Sequence, residues 1–157
     1  MLLDFSVENW MSYRDEASLP MVGSLERQHK ATLAKMPGFR SRWILPVAAI
    51  YGGNASGKTA LFKAMAALRR LVVEDVGVDG RLDIQPFLLQ HDALEKPVSF
   101  DITYLFDETV YRLVVEALRE GVVFESLEIV TEKGPRVVYE RDRAKENGAF
   151  FLDAGNV

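Results

Sequence analysis

The chain has no cysteine and only two histidines, His29 and His91, in 157 residues. No disulfide framework or thiolate metal site can form, and a histidine-based metal centre lacks ligands. Positive charge is not in excess. Nineteen Lys and Arg stand against 23 Asp and Glu, a formal net charge of −4, so nothing global favours nucleic acid or an anionic membrane. No apolar run approaches the ~20 residues of a membrane-spanning helix. Met1-Leu2-Leu3-Asp4 lacks the basic start of a signal peptide. A soluble, cytoplasmic protein with no membrane partner is the expectation. Internal repeats and low-complexity segments are absent too. What is plentiful is apolar side chain. Hydrophobic residues make up 48% and charged residues 27%, enough to bury the core of one domain or part of one.

The most informative stretch is Gly52-Gly53-Asn54-Ala55-Ser56-Gly57-Lys58-Thr59. It fits G-x-x-x-x-G-K-[ST], the phosphate-binding loop. Val47-Ala48-Ala49-Ile50-Tyr51 before it predicts a short buried strand. After it, Leu61, Met65, Leu68 and Val72 recur at the spacing of one helix face. Strand, glycine loop and helix are the context that the motif requires. Gly52 lets the chain turn sharply, and Gly57 lets backbone approach a ligand. Successive N–H groups and the positive end of the helix form a polyphosphate site. Lys58 is expected to reach the β- and γ-phosphates, and the Thr59 hydroxyl to hold Mg²⁺.

The rest of the chain is mainly β. Leu3, Phe5 and Val7 alternate with Asp4 and Ser6, which predicts a half-buried strand. Residues 8–16 break that pattern, and residues 17–22 resume it, with Pro20 at a sheet edge or bulge. Residues 23–42 carry Arg27, Lys30, Lys35, Arg40 and Arg42 against the single acid Glu26. A solvated connection explains them better than a DNA-facing segment, because only Phe39 and Trp43 interleave. Arg69 and Arg70 suit the last turns of the loop's helix, and an acidic loop follows at residues 74–80. Residues 98–106, 110–117, 122–130 and 136–141 predict an antiparallel meander, with turns at 107–109, 119–121 and 133–135. Residues 150–152 open a further strand.

Two features together carry a resemblance. Asn54 and Ser56 match the G-x-N-x-S-G-K-[ST] loop of ABC-type ATPases. Leu3-Asp4-Phe5-Ser6-Val7-Glu8-Asn9-Trp10-Met11-Ser12-Tyr13-Arg14-Asp15 resembles the opening strand and N-F-x-S-[FY] stretch of SMC/RecF/Rad-type heads. The chain is most similar to bacterial AAA-type ATP/GTP-binding proteins related to the overcoming-lysogenization-defect and abortive-infection ATPases. The similarity runs on through a meander like Tyr111-Arg112-Leu113, Glu125-Ser126-Leu127 and Tyr139-Glu140-Arg141. Trp10 stands where Phe is usual, and Ala55 where transporters have Gly. The Leu-Ser-x-Gly signature of a second lobe is not present.

The resemblance implies an α/β fold, the N-terminal lobe of an ABC/RecF-like P-loop NTPase and an incomplete ATPase head. Its parts are the N-terminal strands at 1–22, the P-loop strand and helix at 45–73 and a β meander at 98–153, packed as an antiparallel subdomain. It implies ATP and Mg²⁺ as ligands, and a homodimer through the heads of a longer protein. A role in phage defence or DNA transactions also follows, although net charge gives nucleic acid no support. In such heads the N-terminal turn approaches the nucleotide, so Tyr13 would contact base or ribose and Arg14 a phosphate. Glu125 is a candidate for the metal-linked position that Gln fills in transporters.

Two other readings stay open on sequence. Residues 102–108 look like a Walker B strand ending in Asp107-Glu108. Asp107 would then hold Mg²⁺ and Glu108 orient water, making a self-sufficient NTPase. The competing reading is a β-hairpin with an acidic turn, because residues 110–115 follow at hairpin distance and a Walker B strand runs parallel to the P-loop strand. The other is a β-rich interaction module that binds phosphate without turnover.

Overall fold

The computed structural model describes residues 1–23, 30–74, 82–146 and 149–154. Among them are nine strands, one 3-10 turn (Lys30–Thr32) and one α-helix. The strands are β1 (Leu2–Glu8), β2 (Ala17–Pro20), β3 (Ala34–Lys35), β4 (Trp43–Ile44), β5 (Val98–Phe106), β6 (Thr109–Leu118), β7 (Gly121–Thr131), β8 (Gly134–Glu146) and β9 (Ala149–Ala154). The helix, α1, spans Lys58–Val73. Seven strands form one sheet in the order β2-β1-β5-β6-β7-β8-β9, every neighbouring pair antiparallel. Strands β3 and β4 form a separate small hairpin.

Period-two alternation decides which face of the sheet meets the helix. Val98, Phe100 and Ile102 of β5 lie opposite Ala117, Val115 and Leu113 of β6. These side chains pack with Phe5, Val7 and Trp10 against Ala60, Leu61, Ala64, Ala67 and Leu68 of α1. Three alanines in that stripe let the helix backbone approach the sheet closely. The expected face is therefore corrected in part. Leu61 and Leu68 are buried, Met65 packs at the margin of the core, and Val72 in the last turn is exposed.

A second cluster joins Leu3, Met36, Phe39, Ile44 and Val110. The pairing of β1 with β5 steps from Leu2↔Tyr104 to Asp4↔Thr103, so Leu3 is an extra, bulged residue. A bulge re-aims a side chain, and Leu3 packs with Leu105 and Val110 rather than against the helix. Met36 and Phe39 fall in the stretch expected to be a solvated connection. There the described residues form a core-covering hairpin, with Arg42 over the Phe39 ring at 5.3 Å. Arg27 of that stretch lies outside the described residues, as do residues 75–80 of the acidic loop. Pro20 ends the edge strand β2, where its missing N–H interrupts no ladder.

The run at residues 47–51 is the main correction. It forms no strand, and Val47 and Tyr51 are 76% and 90% exposed. A continuous apolar run suits a strand flanked and covered on both faces. The large sheet, which β2 closes at this edge, offers it no neighbour. Leu45 N–H, donating to Met21 O at 2.8 Å, ties down the chain before it, and Ile50 alone of the run packs on the main core.

Candidate nucleotide-binding site

The loop leaves residue 51 and closes on the first turn of α1. Two residues take left-handed backbone, Ala55 at φ 63° and Gly57 at φ 89°. At Gly52 a Cβ would stand 2.5 Å from Ser56 Oγ and 3.1 Å from its Cβ, so any larger residue would displace Ser56. The Lys58 ammonium folds over the loop. Its Nζ donates to Gly52 O at 2.7 Å, Gly53 O at 2.6 Å and Ser56 Oγ at 3.1 Å. A cation with three donors is thus centred on the loop's carbonyls.

Helix α1 starts at Lys58 with Gly57 as its N-cap. No side chain caps that end, and its first turn holds no acid. The unpaired N–H groups and the positive dipole end therefore stay open to an anion. Thr59 is exposed in that first turn. These donors fit a polyphosphate: one ammonium, successive N–H groups and no competing carboxylate. Among the described residues no three carboxylates or histidines cluster to hold a metal. Thr59 and the phosphates themselves are what a magnesium ion would have here.

The turn after β1 lies against this site. Trp10 and Tyr13 exchange backbone bonds across Met11 and Ser12, at 2.8 and 2.7 Å. The Tyr13 hydroxyl donates to Gly57 O at 2.9 Å, and the Trp10 indole N–H to Ala60 O at 2.9 Å. Tyr13 thus touches the loop's own backbone. Arg14 forks onto its neighbour Asp15, with Nη2 to Oδ2 at 2.9 Å. That hydrogen bond holds the Asp15 carboxyl below its ordinary range. The sequence drew attention to Tyr13 and Arg14 but gave Trp10 no role. The signal was a large aromatic directly after a strand, where alternation stops.

Asn9 ties the same turn to the segment before β5. Its Nδ2 donates to Lys96 O at 3.0 Å and Pro97 O at 3.3 Å, and its Oδ1 accepts Phe87 N–H at 3.2 Å. Met11 N–H donates to Gln85 O at 2.8 Å. Asn9 and Met11 both have positive φ, 54° and 48°.

Asp107 and Glu108 form the two-residue turn between β5 and β6, with φ 45° and 61° and Phe106 opposite Thr109. Positive φ at both central residues is the type I′ hairpin signature. The Walker B alternative is corrected by this geometry. The strand before these acids is antiparallel to its neighbours, and the turn is at its far end. Asp107 is seven residues beyond Phe100, whose ring meets Trp10 edge-on at 5.6 Å, so it lies roughly 23 Å away at ~3.3 Å per residue.

Glu125 is corrected as well. One of its oxygens accepts the Tyr139 hydroxyl, and the other pairs with Arg141 Nη2 at 2.5 Å. Burial and the neighbouring Glu125 both push the Tyr139 hydroxyl well above its ordinary range. With both oxygens engaged, Glu125 acts as a bracket between β7 and β8, not as a free metal ligand.

The family model described as "AAA domain, putative AbiEii toxin, Type IV TA system" matches residues 47–156. The chain belongs to that family. The match covers more than two thirds of the chain and includes the whole loop from Gly52 to Thr59. An AAA domain of this kind is a P-loop, nucleotide-binding, ATPase-type domain. No curated protein matches the chain. No helix among the described residues is long and apolar enough to cross a membrane.

Proposed function

We propose that this AAA domain binds ATP with Mg²⁺ as the N-terminal lobe of an ABC-type, RecF-like head. The observation that carries this is the Lys58 ammonium centred on the loop's carbonyls at the uncapped N-terminus of α1. Lys58 and the N–H groups of the first turn would bind the β- and γ-phosphates. The exposed Thr59 hydroxyl would orient magnesium, which when bound neutralises charge on those phosphates. Arg14 would reach a phosphate only by leaving Asp15.

Hydrolysis, in this reading, belongs to a larger assembly. Asp107 and Glu108 lie at the far end of β5 and are not placed to position water at the loop. The unpaired apolar run at residues 47–51 and the exposed Phe62, Val72 and Val73 of α1 are surfaces that a second lobe would cover. Two such heads would then meet around ATP. The family's description, with its AbiEii toxin and type IV TA system, makes a role in phage defence the favoured setting.

A phosphate-release assay on the 157-residue chain and its Glu108→Gln variant tests this. Negligible release from both, with ATP still bound, is expected. Multiple turnover by the parent that is lost in Glu108→Gln would restore a self-sufficient NTPase.

A further inference from the structure

The start of α1 is an awkward piece of backbone. Gly57 sits at φ 89° with no side-chain cap, yet the direction of the next N–H groups depends on it. Catalytic and binding constellations work only when such donors are held to within a fraction of an ångström. Something must fix this turn from behind.

Two donors from the N-terminal turn do so. Gly57 O accepts the first helical bond from Leu61 N–H at 3.2 Å and also the Tyr13 hydroxyl at 2.9 Å. Ala60 O accepts the Trp10 indole at 2.9 Å. Residues 57 and 60 are three apart, neighbours on one side of the first turn. The reach matches because Trp10 and Tyr13 are themselves joined by two backbone hydrogen bonds. The anchor is rigid. Trp10 is almost completely buried, wedged edge-on against Phe100, and its turn is tied down by the Asn9 amide. The Tyr13 ring also fills the space above residue 57, where a Cβ would stand 2.9 Å from its hydroxyl.

We infer that Tyr13 and Trp10 are positioning residues of the phosphate loop: they hold the carbonyl side of the first turn of α1 so that its N–H side meets phosphate. This rests on the nucleotide-binding reading above and gives Tyr13 a role different from contact with base or ribose. The two side chains act through Gly57 and Ala60.

The test is calorimetric titration of the 157-residue chain with Mg-ATP, comparing the parent, Tyr13→Phe, Trp10→Phe and Lys58→Ala, with the melting temperature of each nucleotide-free protein. Tyr13→Phe keeps the ring and removes only the donor. It should weaken Mg-ATP by about tenfold, the low end of what an outer-shell partner usually costs, with an unchanged nucleotide-free melting temperature. Trp10→Phe should weaken binding in the same sense, and more per degree of melting temperature lost than a buried substitution in the second cluster, Val110→Ala. Lys58→Ala, which should show no measurable binding, marks the loss of the phosphate site itself. Parent-like affinity in Tyr13→Phe, or losses that follow melting temperature alone as in Val110→Ala, would overturn the inference while leaving the nucleotide site standing. A parent that binds no Mg-ATP would overturn both.

Discussion

Gly52 and Gly53 are adjacent glycines with opposite expectations. A Cβ on Gly52 would stand 2.5 Å from Ser56 Oγ and 3.1 Å from Ser56 Cβ, with Lys58 Nζ at 3.7 Å. Contacts under 3 Å do not persist, so Ser56 must move by at least about half an ångström, by the usual separation of non-bonded heavy atoms. The hydroxyl can swing away by rotation about χ1, which takes it off Lys58, while Ser56 Cβ can yield only with the loop backbone. Ser56 Oγ and the Gly52 carbonyl are two of the three acceptors that seat the Lys58 ammonium. Displacing that seat costs one charge-assisted hydrogen bond to phosphate, about 1.5–3 kcal/mol, or roughly a 10–100-fold weaker Kd at 1.4 kcal/mol per decade. The loop is exposed, so the melting temperature should hardly change. A Cβ on Gly53 meets nothing within 4 Å, and Gly53→Ala should bind as the parent does. Titration with Mg-ATP measures both. Parent-like affinity in Gly52→Ala, or an equal loss in Gly53→Ala, would refute the steric argument.

Two further outcomes follow from the same geometry. Thr59→Ala should weaken ATP binding chiefly when Mg²⁺ is present, because the hydroxyl is read as a metal ligand; equal weakening in EDTA would leave Thr59 as a helix-start residue only. Glu116 has its carboxyl raised above the ordinary 4.5, first by burial and then by Asp142 and Glu8. The folded state therefore holds this proton more tightly than the unfolded chain, and its ionised form opposes folding above the folded pKa. Glu116→Gln should melt higher than the parent at pH 7, with the gain fading as pH falls through the folded pKa and gone below about 4.5. A gain that persists in acid would contradict the linkage.

The meander was legible because each strand alternates and each turn carries its own chemistry. Asp107-Glu108 was legible as a hairpin turn from the distance to the next β run, and the two positive φ angles agree. The phosphate loop announced itself through Lys58 and Thr59 as much as through its glycines. The run at residues 47–51 was not legible. An apolar stretch records a demand for burial, but pairing also requires a neighbour, and a single strand's sequence does not carry that neighbour. The helix face was legible only in part, because alanine is nearly silent in a hydrophobic pattern while Ala60, Ala64 and Ala67 form the contact. The β3–β4 hairpin was missed because two-residue strands show no period, and its buried Met36 and Phe39 sit among exposed cations. Trp10 was missed for another reason: its indole meets a helix fifty residues away, and local sequence does not encode that.

The central claim is that the loop from Gly52 to Thr59 binds a nucleoside triphosphate through Lys58. Its most direct test is calorimetric titration of the purified chain and its Lys58→Ala variant with Mg-ATP. Lys58 is a solvent-facing cation seated on loop carbonyls, so its loss should leave the melting temperature of the nucleotide-free protein unchanged. The account predicts saturable binding by the parent and none measurable in Lys58→Ala. Equal affinity in the two proteins, or no binding by the parent, would contradict it.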